Sequence, residues 1–296
     1  MNPQVSTKST PLSALYNTET PPAGLDLLGL IGYPLDNSPS DTIHNTYCQT
    51  VGMPALYGKT NLSANDLGNF LNQSKAVGIK GLSVTMPLKE AILPYLDTLS
   101  PEAEAIGAVN TVLFQDSKII GHNTDGVGAI RAIEQALGEP VSNKRIVIVG
   151  AGGAAKAIAW EATQQKAQVF ILNRTKEKAR LLAEKVGASY DSLIKASAVL
   201  NEGCDVLIQT TPIGMLSNHS LIPPVILKPT MLVFDIITKP ATTELLKGAQ
   251  EQGCKVLHGQ EMWIHQALEQ YKLWLGEAAI IDESTLRTAV NQSAKQ

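Results

Sequence analysis

From residue 25 onward, short apolar runs alternate with stretches whose apolar residues recur every third or fourth position. A short run bounded by glycine, proline or polar turn residues reads as a buried strand. The longer period reads as a helix with one face buried. Strands are expected over residues 25–31, 55–62, 81–85 and 109–115, with a turn at Asp116-Ser117 leading into a strand over 118–122. Helices are expected near 41–51, 63–76, 88–96, 100–106 and 126–138, and 139–144 resembles a linker. A second series has strands at 146–150, 168–173, 205–210, 231–236 and 255–259, and helices at 153–165 and 175–187. Two further helices fall near 260–275 and 283–294. Such alternation predicts an α/β chain with mostly parallel sheets.

Composition narrows the function classes. The chain has 296 residues, 44% hydrophobic and 17% charged, as expected for one large or two ordinary globular domains. Its net charge of −3 offers no basic face for nucleic acid. Cys48, Cys204 and Cys254 lie far apart and form no metal-binding or disulfide spacing. No apolar run reaches the roughly 18 residues that span a bilayer. Residues 1–24 are polar and contain prolines, which predicts a flexible leader. These features point to a soluble protein of a reducing, cytoplasmic compartment.

The strand at 146–150 runs into GAGGAA and then a helix. Gly150, Gly152 and Ala155 occupy the G-x-G-x-x-A positions of a dinucleotide turn, with Ala151, Gly153 and Ala154 between them. The first glycine permits the tight turn, the second admits a pyrophosphate, and the alanine allows close helix–strand packing. The helix N-terminus offers free N–H groups to the phosphates. The next strand ends in Asn173-Arg174-Thr175, where an NAD site would carry Asp or Glu for the ribose hydroxyl. A guanidinium, two short polar side chains and Lys178 suit a 2′-phosphate instead, which predicts NADP. Thr210 and Thr211 end a later strand at its carboxyl edge and are weaker cofactor candidates.

Four polar clusters mark the front half: Ser38-Pro39-Ser40, Thr85 to Lys89, Asn110-Thr111, and Asn123-Thr124-Asp125-Gly126. Together with GYPLDNSPSDTIHN, GLSVTMPLK, GAVNT, GHNTDG, GAGGAA, NRT, TTPIGM and GQEMWIHQALEQYKLW, the chain resembles the shikimate dehydrogenases over about residues 27 to 276. The resemblance implies a two-domain α/β fold: a substrate-binding domain (25–125, with 260–296 returning to it) and a Rossmann-type NADP domain (126–259), with a cleft between them. It implies reversible NADPH-dependent reduction of 3-dehydroshikimate to shikimate, in aromatic amino acid biosynthesis. Lys89 and Asp125 become the catalytic pair. Ser38 and Ser40 would bind the substrate carboxylate, and Thr85, Asn110, Asp125 and Gln266 its hydroxyls. Ile236, Gly259 and Met262 would flank the nicotinamide.

The chain departs from the family in two places. Thr238 stands where the family usually has a tyrosine touching substrate, and Asp41 replaces a proline. Asp41 is expected to cap the following helix rather than face a bound carboxylate. His44 and His265 are read as packing or surface residues. Two other readings compete: an NAD-dependent quinate/shikimate dehydrogenase, which Thr238 favours and Arg174 opposes, and a non-catalytic binder of shikimate or nucleotide, which Lys89 and Asp125 oppose. The expected partner is a small-molecule substrate, with no nucleic acid, membrane or metal, in a monomer or homodimer.

Overall fold

The structure, a computed structural model, describes residues 10–293. The chain divides into two units, Met1–Thr124 with Leu268–Gln296, and Asp125–Ala267.

The first unit begins with a helix, α1 (Pro11–Tyr16), capped by Thr10, whose side chain accepts from Ser13 N. This corrects the expected flexible leader for residues 11–16; residues 1–9 lie outside the described residues. The cause is tertiary. Leu15 is buried, and the Tyr16 hydroxyl donates to the Leu28 carbonyl at 2.7 Å. The floor beneath is a cross-strand glycine pair, Gly29 opposite Gly58. A Cβ at Gly58 would lie 2.3 Å from the Leu15 carbonyl oxygen, and one at Gly29 2.8 Å from a Leu15 methyl. Only glycine lets the helix sit so close.

Next come β1 (Asp26–Gly32), α2 (Ser40–Val51), β2 (Ala55–Asn61), α3 (Leu67–Ala76), β3 (Gly81–Val84), α4 (Leu88–Ala91), β4 (Thr98–Leu99), α5 (Pro101–Ile106), β5 (Thr111–Gln115) and β6 (Lys118–His122). The sheet order is β2-β1-β3-β5-β6-β4. The β1, β2 and β3 strands are parallel, whereas β5 runs antiparallel to both β3 and β6. Asp116 and Ser117 both take positive φ in the β5–β6 hairpin, as a tight two-residue turn requires.

The second unit begins with α6 (Asp125–Leu137) and continues through β7 (Arg145–Val149), α7 (Gly153–Gln164), β8 (Gln168–Asn173), α8 (Lys176–Val186), β9 (Ser189–Ser192), α9 (Ala196–Asn201), β10 (Val206–Gln209), β11 (Leu232–Asp235), α10 (Glu244–Glu251) and β12 (Lys255–His258). Its sheet order, β12-β11-β10-β7-β8-β9, is parallel throughout. Read from the other edge, this is the 3-2-1-4-5-6 doubly wound order. Its central strands are apolar on both faces, because helices cover both sides. Ile146 and Ile148 belong to one core layer, and Val147 and Val149 to the other.

The chain then forms α11 (Gly259–Leu275) and α12 (Glu283–Ser293). The C-terminal half of α11 belongs to the first unit. There Trp274 is fully buried over Gly81, where a Cβ would fall 2.1 Å from its ring. The indole N–H donates to the Val112 carbonyl at 2.9 Å.

Candidate active site

In the second unit, the carboxyl ends of β7, β8 and β10 meet where the strand order reverses. Gly150, Ala151, Gly152, Asn173, Arg174, Thr175, Lys178, Thr210, Thr211 and Pro212 line one cavity there, of about 240 Å³. Nine of these ten are cofactor candidates from the sequence, Thr210 and Thr211 the weaker ones, and Pro212 is the addition; the Thr210 hydroxyl packs against Gly150 of the turn. Gly153 and Ala154 begin α7 beside the cavity.

The two outer glycines of the turn have different grounds. Gly150 has φ +125°, and a Cβ there would lie 2.3 Å from the Thr210 hydroxyl. That hydroxyl donates to the Val149 carbonyl at 2.7 Å. Gly152 has φ −85° at the N-cap of α7, with no side-chain cap. A Cβ on it meets nothing within 4 Å. The protein's own packing therefore does not demand glycine at 152. What a side chain would fill is the space in front of the helix N-terminus, where phosphate oxygens accept from free N–H groups.

At the other wall, the Asn173 amide donates to the Thr175 carbonyl at 3.0 Å. Thr175 is the N-cap of α8, and its side chain makes no capping bond. Lys176 is paired with Asp191 at 2.8 Å. Arg174 and Lys178 are exposed, and among the described residues neither forms an ion pair. Two uncommitted cations at the end of β8 suit a phosphate on the ribose, and no carboxylate lines the cavity to bond a bare 2′-hydroxyl.

Other candidates of this unit stand on neighbouring elements. Gly259 abuts the Ile236 carbonyl, 2.4 Å from where a Cβ would sit. Met262 is buried in the core with Leu257. Gln266 packs its backbone on Gly128 of α6, whose Cβ would lie 2.7 Å from Gln266 N. Asp125 opens α6 and is buried. Thr238 is exposed, in a loop anchored by buried Asp235, which accepts from Ile237 N at 3.1 Å and from Thr243 Oγ1 at 2.8 Å. Burial raises the Asp235 pKa against these bonds. His265, buried, meets Gln135 at 3.1 Å, a packing role.

The first unit gathers its candidates along the carboxyl ends of β1 and β3. Thr85 N donates to the Ile31 carbonyl at 3.0 Å, and Leu88 N to the Thr85 carbonyl at 2.9 Å. Leu88 is fully buried, which anchors the short α4 carrying Lys89. The Lys89 carbonyl accepts from Val109 N at 2.8 Å. Asn110, buried, receives Thr124 N on Oδ1 at 2.8 Å and donates to Thr124 Oγ1 at 3.0 Å. Gln270, not anticipated, supports this corner: it donates to Thr111 Oγ1 at 2.9 Å and accepts from Ser83 Oγ at 3.0 Å. Its signal was its place on the same helix, one turn after Gln266. Ser38 and Ser40 stand together, their hydroxyls 2.9 Å apart.

The expectation that Asp41 caps α2 is corrected. The N-cap is Pro39, with no side-chain cap, and Asp41 instead pairs with Lys59 at 3.0 Å. His44 is buried, with Nδ1 2.6 Å from the Tyr271 hydroxyl and its ring stacked on Tyr57 at 4.0 Å.

Comparison with known proteins agrees with this layout. Residues 30–112 match the model of the shikimate dehydrogenase substrate binding domain, and residues 132–239 that of shikimate / quinate 5-dehydrogenase. The shikimate dehydrogenase (NADP+) of Pyrococcus furiosus is 42% identical over 256 residues, covering 86% of this chain and 92% of that one. The chain belongs to the shikimate dehydrogenase family. Among solved structures of the family, a shikimate dehydrogenase in complex with NADP+ superposes with a TM-score of 0.85 at 35% identity, covering 92% of this chain and 97% of the other. The quinate dehydrogenase of Corynebacterium glutamicum in complex with NAD reaches 0.81 at 29%, covering 90% and 99%.

Proposed function

We propose that this chain is an NADP-dependent shikimate dehydrogenase, catalysing reversible reduction of 3-dehydroshikimate to shikimate. Its family and its relatives' shared activity support the reaction. The observation that carries the cofactor choice is the cavity wall of Asn173, Arg174, Thr175 and Lys178. A guanidinium fork and an ammonium compensate a 2′-phosphate, whereas NAD would leave both without that partner. Gly150 to Ala154 would cradle the pyrophosphate, and Ile236, Gly259 and Met262 would border the nicotinamide.

NADPH, when bound, supplies the hydride. The chain's residues manage the proton and the orientation. Lys89 donates a proton to the ketone oxygen during reduction and takes it back during oxidation. Asp125 orients Lys89 and accepts hydrogen bonds from ring hydroxyls. Ser38 and Ser40 take the substrate carboxylate; Thr85, Asn110 and Gln266 bond its hydroxyls. Residues 25–125 with the returning helices of 260–296 serve the substrate, and 126–259 the cofactor. Thr238 contributes a short hydroxyl in place of the usual phenol, which enlarges the site on that side. The enzyme works in the cytoplasm, as a monomer or homodimer.

A second reading, quinate oxidation with NAD, is favoured by Thr238 and by the similarity to a quinate dehydrogenase bound to NAD. Initial rates with shikimate and quinate, each paired with NADP and NAD, separate the two. Turnover with shikimate and NADP is expected. In R174A, KM for NADP should rise by about tenfold or more, the worth of a charge-assisted bond, with little change for NAD. Preference for quinate or for NAD in the parent enzyme would overturn the proposal.

A further inference from the structure

The edge strand β2 grips the segment that carries the serine pair at three alternating positions, 57, 59 and 61. At the first, Tyr57 N donates to Asn45 Oδ1 and Asn45 Nδ2 to the Tyr57 carbonyl, both at 2.9 Å. At the third, Asn61 Oδ1 accepts from Leu35 N at 2.7 Å, and its amide donates to Asp36 Oδ1 at 3.1 Å. Between them, the Lys59 ammonium donates to the Ser38 carbonyl and pairs with Asp41 at 3.0 Å. Lys59 and Asn61, two apart on the strand, reach the segment with side chains of one face, whereas Tyr57 holds it through its main chain.

The middle contact differs in carrying charge. Asp41 Oδ1 is shut off from solvent and has no hydrogen-bond partner of good geometry; the Lys59 ion pair is what offsets it. The α2 N-terminus has no side-chain cap that would otherwise hold this turn. Without Lys59, a carboxylate would stand one residue from Ser40, where the substrate's own carboxylate is to bind. Like charges at such distances repel measurably even with partial screening.

We propose that Lys59 is a positioning residue for the substrate carboxylate. Its ammonium fixes the Ser38 carbonyl, and with it the paired hydroxyls, and it cancels Asp41 so that the serine turn accepts an anion. The proposal rests on the reading of Ser38 and Ser40 as the carboxylate-binding pair.

The test is steady-state kinetics on K59M, K59R and the double variant D41N/K59M, with thermal unfolding of each. In K59M, KM for shikimate is expected to rise about tenfold or more while kcat changes far less. K59R should keep most of the affinity, and D41N/K59M should recover much of what K59M loses. Methyl shikimate, used as an uncharged competitor, should bind K59M and the parent alike. A KM for K59M within about twofold of the parent would overturn the proposal. So would equal weakening of shikimate and its methyl ester, since a purely structural defect affects both. S38A and S40A distinguish the failure of the underlying reading: unchanged shikimate KM in both would mean that the carboxylate binds elsewhere.

Discussion

Two glycines two residues apart on one turn answer to different demands. Gly150 holds a backbone conformation that a side chain resists, with the Thr210 hydroxyl where its Cβ would be. Gly152 lies in ordinary extended backbone with open space before it. G150A should therefore lower stability by about 1–3 kcal/mol, the usual cost of a strained conformation, seen as a fall in Tm. G152V should leave Tm close to the parent's and raise KM for NADP. If G152V unfolded the protein and G150A did not, the assignment of roles would be inverted. The glycine motif was legible in the sequence because its spacing is set by the ligand it admits. The partner of Asp41 was not, because Lys59 approaches it from another strand and no local spacing announces that.

Elements were legible where burial imposed a period. The central strands β1, β7 and β10 and the helix α7 fall close to their expected limits for that reason. The β9 strand, SYDS, is polar and lies at a sheet edge, so alternation gave no sign of it. The α1 helix is six residues long and holds because Leu15 fills a hollow above a glycine pair far along the chain. The α2 helix carries a testable charge effect. Burial pushes the His44 pKa down from 6.5 to about 3. The unfolded chain then takes up a proton below pH 6.5 that the folded chain refuses, so this contribution is full above 6.5 and is lost as pH falls towards 3. Each pH unit in that window costs about 1.4 kcal/mol. In H44Q, the pH dependence of unfolding between 6.5 and 4 should be shallower than the parent's by about one proton. Identical slopes in the two proteins would show that His44 is protonated in the folded state.

Across the molecule, the two units differ in how they are cut from the chain. The Asp125–Ala267 unit is one continuous stretch, whereas the other is assembled from both ends. The first part builds one core of its own, from Leu15 to Ile119, but the rest of its cover is borrowed: Trp274 over Gly81, Tyr271 against His44, and the Gln270 bonds to β3 and β5 all come from the distal part. Trp274 and Tyr271 are both fully buried, and removing a large buried aromatic costs about 3–5 kcal/mol each. A fragment of residues 125–267 should unfold cooperatively by circular dichroism. A fragment of residues 1–124 should show no cooperative transition until residues 268–296 are supplied. Cooperative unfolding of 1–124 alone would show that the distal helices are dispensable.

This discontinuity bears on how the protein is made. A chain emerging from a ribosome offers its N-terminal part first, yet here that part cannot finish until the last helices arrive. The unit translated second is complete first. At about 5–20 residues per second, the opening segment waits roughly 10–35 seconds for the helices that bring Tyr271 and Trp274. During that wait the side awaiting those aromatics is what a holding chaperone would protect, and the cofactor unit already has its whole chain.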